Sequence, residues 1–151
     1  MHTQLRPFQW LTSLAMVSLL LSCQDPKTTL QEPALATDVS AFPLKKLSDY
    51  GFFKGNLADL LPVEGVLPYE PAASLFTDYA FKKRFVWIPE GKTAFIPTDS
   101  HAPLDFPDGA VLIKHFYYPT DFRQPDGAKR LIETRLLVKR SGKWEAYPYQ
   151  W

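Results

Sequence analysis

The fold is decided by the stretch Ala110–Tyr118, which has the sequence Ala-Val-Leu-Ile-Lys-His-Phe-Tyr-Tyr. Its many β-branched and aromatic residues are typical of a long β-strand. Side chains alternate between the two faces of a strand. One face is therefore expected to hold Val111, Ile113, His115 and Tyr117. The other face is expected to hold Leu112, Lys114, Phe116 and Tyr118.

Turn sequences on both sides of this stretch separate it from further strands. Pro107-Asp108-Gly109 precedes it and Pro125-Asp126-Gly127 follows it, and both favour tight turns. A second long strand is predicted at Arg130–Arg140, with Ile132, Thr134, Leu136 and Val138 on its apolar face. Ser141-Gly142 fits a two-residue hairpin turn that leads into a last strand at Lys143–Tyr149.

The part before Ala110 predicts shorter elements. Strands are expected at Lys83–Ile88 and Thr93–Ile96, a short helix ended by Pro62 at Asn56–Leu61, and single helical turns at Leu47–Phe53 and Ser74–Ala80. The chain is therefore expected to be mainly β, with about five mostly antiparallel strands. A small antiparallel β-sandwich or a partly open barrel, preceded by short N-terminal helices, would bury the apolar faces.

The first 22 residues are typical of an export signal peptide, with Arg6 as their one charged side chain. The apolar run that follows Arg6 is shorter than the roughly 20 residues of a membrane span. It ends in Leu20-Leu21-Ser22-Cys23, which resembles a bacterial lipobox. We therefore expect cleavage after Ser22 and lipid attachment to Cys23. A transmembrane anchor or an ordinary secretory signal with an incidental cysteine is the alternative.

These features divide the chain into a signal peptide at 1–22, a flexible tether at 23–41 and a β module at 42–151. An N-terminal arm that packs on the module is the alternative for the residues from Gln24 to Ala41. Two or more acyl chains on Cys23 would hold the module stably at a membrane. Gln24 rather than aspartate follows the cysteine. An outer membrane is therefore expected rather than an inner one. The sudden stop after the aromatic strand predicts a module truncated at its C-terminus.

Composition and motifs exclude several classes of function. The 151 residues carry a net charge of +1, which argues against nucleic-acid binding through bulk charge. A single cysteine excludes an internal disulfide framework. No phosphate-binding glycine loop and no His-Glu-x-x-His motif occurs. We therefore expect no enzyme activity, no metal site and no nucleic-acid partner.

Four groups of residues are functional candidates. His115 is expected in the core or on the sheet and His101 in an exposed loop, while Asp105 and Asp108 fit turn positions better than an acid/base pair. Seven basic residues between Arg123 and Lys143 fit a solvated strand face better than a site for an acidic partner. An exposed aromatic surface could stack on sugars. Its candidate residues are Tyr117, Tyr118, Trp144 and Trp151.

Five stretches also resemble, in the same order, a family of bacterial exported diheme c-type cytochromes and conserved hypothetical lipoproteins. They are Leu47–Phe53, Ser74–Ala80, Arg84–Gly91, Phe106–Lys114 and Leu131–Leu137. In that family this region is the N-terminal β module, and a haem-bearing part follows the segment matched here by Trp144–Trp151. This chain contains no Cys-x-x-Cys-His motif. The resemblance therefore implies haem c only in a longer parent protein.

Together these observations predict a lipid-anchored, non-catalytic β module of the bacterial cell envelope. The resemblance implies an electron-transfer setting and a missing C-terminal cytochrome domain as partner. A cell-surface module that binds carbohydrate or protein is the alternative. The chain itself is expected to need no cofactor.

Overall fold

The protein is described here by a computed structural model that covers residues 34–73, 75–99 and 101–151. The predicted signal peptide and Cys23 lie outside these residues. Within the described ranges, three short 3-10 helices occupy Val39–Ala41, Leu47–Tyr50 and Leu57–Asp59. The strands are β1 (Phe53–Lys54), β2 (Leu61–Pro62), β3 (Val66–Pro68), β4 (Phe81–Trp87), β5 (Val111–Pro119), β6 (Lys129–Arg140) and β7 (Lys143–Gln150).

The strands form two antiparallel sheets. β1 and β2 make a small hairpin, and the other five strands pair in the order β3-β4-β5-β6-β7. Each strand of the larger sheet therefore lies beside its neighbour in sequence. β3 and β7 are its edges, so the described strands do not close into a barrel. The prediction of a mainly β, antiparallel fold is confirmed.

The hydrophobic core lies on one face of the five-stranded sheet. As predicted for β5, Val111, Ile113, His115 and Tyr117 are buried there. The segment 35–63, which contains the 3-10 helices and the β1-β2 hairpin, covers this face. Aromatic rings join the two layers, because the Phe52 ring packs against Trp87 at 5.9 Å and the Phe53 ring against Phe85 at 5.0 Å.

A ring of hydrogen bonds fastens the covering segment to β7. The Tyr149 hydroxyl donates to the Leu44 carbonyl over 2.7 Å, and the Leu44 amide donates to the Tyr50 hydroxyl over 2.9 Å. Because Tyr149 has one hydroxyl proton, Tyr50 is the donor in the 2.6 Å contact between the two hydroxyls. Burial raises the pKa of Tyr149.

The folded unit includes residues upstream of Phe42. Leu35, Ala36 and Val39 pack against the core although they lie in the part of the sequence expected to be a tether. The Ala36 amide also donates to the Tyr50 carbonyl over 2.9 Å. None of the helices in the described part of the chain is long and apolar enough to cross a membrane.

Two predictions about strands were wrong. Ile132 was expected on the apolar face of β6, but it is 37% exposed, because the pairing register of β5 and β6 shifts between Phe116 and Tyr117. This bulge turns Leu131 toward the core in its place. The predicted strand Thr93–Ile96 is a single bridge between Phe95 and Asp105.

Two of the predicted helical segments also differ from the structure. No helix forms among the described residues of Ser74–Ala80, because Asp78 and Tyr79 both take a positive φ, 41° and 61°. The short helix predicted at Asn56–Leu61 is a single 3-10 turn, Leu57–Asp59, and it ends before Pro62. Leu60, which follows it, has a left-handed backbone that ends the helix.

Candidate functional site: the second face of the sheet

The second face of the five-stranded sheet, here called the open face, carries an apolar row across all five strands. The strand register places its members side by side, and every one of them is at least partly exposed. The members are Leu67, Val86, Leu112, Leu137 and Ala146. The apolar row spans four interstrand spacings, or roughly 19 Å.

A row of three cationic residues, here called the basic row, lies beside the apolar row and is separated from it by two residues on each of β4, β5 and β6. Arg84, Lys114 and Arg135 are register partners. Arg84 pairs with Glu70 over 3.2 Å, and Arg135 binds Glu133 through two hydrogen bonds of 2.6 and 3.0 Å. In the described parts of the chain, Lys114 has no carboxylate within salt-bridge distance.

The Phe116 ring sits between two of these cations. Lys114 Nζ lies 4.7 Å from the ring centroid, and the Arg135 guanidinium carbon lies 4.8 Å from it. Cation–π contacts of this kind are attractive but do not neutralise charge. The basic row therefore keeps one positive charge more than its two carboxylates balance.

The pKa directions in this row follow from burial and charge. Partial burial lowers the pKa of Lys114, and Arg84, Lys82 and Arg135 lower it further, whereas Glu133 raises it. Hydrogen bonds from Arg135 hold the pKa of Glu133 below its usual range. The surroundings of Lys114 therefore disfavour its charged form, a condition that a nearby anion would reverse.

A groove of about 620 Å³ lies over the open face. Its floor comes from the apolar row, with Leu112, Leu137 and Ala146, and from the basic row, with Lys114 and Arg135. Tyr69 borders it and is held in place by the 3.0 Å bond from its amide to the Arg84 carbonyl. Its volume lies in the range of small-molecule sites, which are mostly apolar with a few polar groups.

His115 belongs to the core rather than to this groove. Its side chain is completely buried, with Phe53 and Phe85 packed edge-on against the ring. Nδ1 contacts the Thr134 hydroxyl over 2.8 Å, and that hydroxyl accepts a hydrogen bond from Trp151 Nε1 over 3.0 Å. Burial lowers the pKa of His115 to about 3. His115 is therefore a neutral core residue.

The other chemical candidates lie apart from one another. His101 is exposed in a loop, and no group of three possible metal-ligating side chains occurs within the described ranges. Asp105 pairs with Lys139 over 3.8 Å, whereas Asp108 accepts a bond from the Gly142 amide over 2.9 Å. Both aspartates thus have structural partners.

The structure does not bring the four candidate aromatic residues together. Tyr117 is 4% exposed and faces the core, and Trp151 lies on the same side of the sheet. Tyr118 and Trp144 are on the open-face side but near opposite ends of β6, opposite Arg130 and Lys139 respectively. They therefore form no continuous platform.

The seven basic residues between Arg123 and Lys143 are likewise divided between the two faces. Arg135 and Lys139 lie on the open-face side, whereas Arg140 reaches the covering segment and donates to the Val39 carbonyl over 2.9 Å. Arg123 pairs with Asp121 in the loop before β6. These residues therefore form no continuous surface, and strand pairing instead places Arg135 in the basic row of β4, β5 and β6.

Sequence reasoning missed the groove. It placed Leu112 and Lys114 on a common face of β5, but it could not tell which residues of β4, β6 and β7 lie beside them. Tyr69 carries no sequence signal for its position, which depends on β3 pairing with β4. Comparisons with protein-family models, with curated proteins and with solved structures found no match.

Proposed function

We propose that this protein is a lipid-anchored, non-catalytic binding module of the bacterial cell envelope, with an outer membrane as its site. The anchor is supported by the sequence Leu20-Leu21-Ser22-Cys23 and by the single cysteine of the chain. The open face is the binding surface. An electron-transfer setting, with haem c in a longer parent protein, is supported by the resemblance to exported cytochromes.

One observation carries the binding role, namely the exposed apolar row of the open face. An antiparallel sheet with one face in water normally places polar residues on that face. Here five apolar residues lie side by side instead, and Leu67 at one end is 62% exposed. Contiguous exposed apolar surface of this kind is typical of interaction sites.

The anchor is tested by labelling growing bacteria with a palmitate analogue. Wild-type protein should take up the label and fractionate with membranes. Cys23→Ser exchanges only the sulfur for oxygen and should abolish both. A Cys23→Ser protein that is still labelled would overturn the anchor.

The binding role is tested by photo-crosslinking in cells that produce the full chain. A photoreactive amino acid at Leu67 should give a discrete crosslinked species, because Leu67 lies on the open face. Leu61 is the matched control, since it is 55% exposed but belongs to β2 in the covering segment. Equal crosslinking at the two positions, or none at Leu67, would contradict a binding role of the open face.

The alternative is a cell-surface module that binds carbohydrate. No single observation favours it, because the four candidate rings are spread over both faces of the sheet. A glycan array would support it only if binding depended on Tyr118 or Trp144, which lie on the open-face side.

A further inference from the structure

The groove combines an apolar floor with one unbalanced positive charge. Two of the three cations in the basic row have carboxylate partners, and Lys114, at the centre of the row, has none among the described residues. Lys82, two residues before Arg84 on β4, adds another nearby positive charge. An anion at Lys114 would offset the repulsion among these groups.

The shape of the groove limits the size of its occupant. From Lys114 and Leu112 on β5, the apolar floor continues through Leu137 on β6 to Ala146 on β7. This path crosses two interstrand spacings, or roughly 10 Å. An extended chain of medium length fits along it, and its anionic end would lie at β5.

We propose that the groove binds an amphiphilic monoanion, with a carboxylate head group at Lys114 and an apolar chain of medium length over Leu112, Leu137 and Ala146. This inference rests on the proposed function, because it takes the open face as the binding surface. The carboxylate forms a charge-assisted hydrogen bond with Lys114, and the chain removes the floor from water.

The charge pattern selects this ligand over others of similar size. A cationic amphiphile would face Lys114, Lys82 and the two arginines. A neutral amphiphile would gain the apolar contacts but leave Lys114 unbalanced. A ligand with several negative charges would meet the carboxylates of Glu70 and Glu133, which already bind the arginines.

The experiment compares three probes with the same chain, used below the concentrations at which they form micelles. Decanoate, decanol and decyltrimethylammonium are titrated into the isotope-labelled full chain, and NMR follows the methyl groups of Leu112, Leu137 and Ala146. Decanoate should shift these signals and bind about tenfold more tightly than decanol, which is the effect of one charge-assisted hydrogen bond. Decyltrimethylammonium should bind most weakly.

Variants test whether the preference for decanoate over decanol depends on the Lys114 side chain. Lys114→Met keeps an apolar side chain of similar length, so it should leave decanol binding unchanged and remove the advantage of decanoate. Lys114→Arg should restore that advantage. Lys143→Met is the matched control, because Lys143 is an exposed cation of the β6-β7 hairpin outside the groove.

Three outcomes overturn the proposal. They are equal binding of the three probes, a decanoate preference that survives in Lys114→Met, and shifts confined to residues outside the groove. If the probes fail while Leu67 still crosslinks in cells, only the ligand class is wrong and the binding role of the open face stands. If both experiments fail, the proposed binding role fails as well.

Discussion

At the scale of single residues, His115 shows how a polar side chain joins an apolar core. Its Nδ1 has a partner in Thr134, but Nε2 is buried without one among the described residues. Either tautomer leaves that second nitrogen unpaired. The position thus favours a neutral ring packed by aromatic neighbours, and a charged ring there would be strongly disfavoured.

This burial predicts a pH-dependent stability. The ordinary pKa of histidine is 6.5 and that of folded His115 is about 3. Between these values the unfolded chain binds a proton that the folded protein excludes. The free energy of unfolding should therefore fall by about 1.4 kcal/mol per pH unit as the pH drops through this window.

Urea unfolding followed by tryptophan fluorescence, between pH 7 and pH 4, measures this slope. His115→Gln should reduce the slope relative to the wild type, because the titrating group is gone. His101→Gln is the control and should keep it, since His101 lies exposed in a loop. The same slope in all three proteins would refute the assignment to His115.

At the scale of elements, the bulge between β5 and β6 exchanges the roles of two neighbouring residues. Leu131 takes the core position and Ile132 is displaced toward solvent. The sequence alone could not reveal this, because strict alternation assigns Ile132 to the same face as Thr134. A bulge depends on how two strands align, and no local pattern in β6 records it.

Alanine substitutions at these two positions test the exchange. Leu131→Ala should lower the free energy of unfolding by about 2–4 kcal/mol, because it empties a core position. Ile132→Ala should cost less than about 1 kcal/mol, as expected for a partly exposed side chain. Chemical denaturation measures both changes in the free energy of unfolding. A larger loss for Ile132→Ala than for Leu131→Ala would indicate that the side chains of β6 alternate regularly, without the bulge.

The hairpin between β6 and β7 is an element that the sequence did specify. Ser141 and Gly142 both have positive φ, 46° and 74°, as a two-residue turn with the twist of a hairpin requires. The strands on either side agree with their predicted positions to within one residue. Local turn chemistry and strand alternation were thus predictable, whereas the groove depended on register between strands.

Substitutions in this turn should change stability through the backbone alone. A Cβ added at Gly142 would meet no atom within 4 Å, so Gly142→Ala should lose about 1 kcal/mol from left-handed strain only. Ser141→Asn should be neutral or slightly stabilising, because asparagine tolerates this conformation. Thermal unfolding measures the stability of both variants. A loss for Gly142→Ala several times larger than about 1 kcal/mol would indicate a clash of the added methyl group instead.

At the largest scale, the described part of the protein is a sheet with one face covered by segment 35–63 and a second face that no described segment covers. The hydrogen bonds among Leu44, Tyr50 and Tyr149 hold the cover at β7. Core contacts such as those of Phe52 and Phe53 hold it over β4. The stability of the cover therefore depends on both polar and apolar contacts.

Removal of the Tyr149 hydroxyl tests the contribution of the hydrogen bonds that hold the covering segment. Tyr149→Phe should lower the free energy of unfolding by about 1–2 kcal/mol, because the Leu44 carbonyl loses its donor. Hydrogen exchange should also become faster at the Leu44 amide. Tyr147→Phe is the matched control, since the Tyr147 hydroxyl donates its hydrogen bond to Glu145 within β7 and not to the covering segment. Equal effects of the two variants would contradict this role of Tyr149.

The strand order also bears on which contacts can form before the whole chain is available for folding. Every pairing in the five-stranded sheet joins neighbours in sequence, so each new strand can add as soon as the chain has delivered it. The contact between Leu44 and Tyr149 is different, because it joins residues 105 positions apart. A chain that emerges with its N-terminus first must wait for β7 before the covering segment is sealed. During that interval aggregation competes with folding, so conditions that shorten the interval should raise the yield of folded protein.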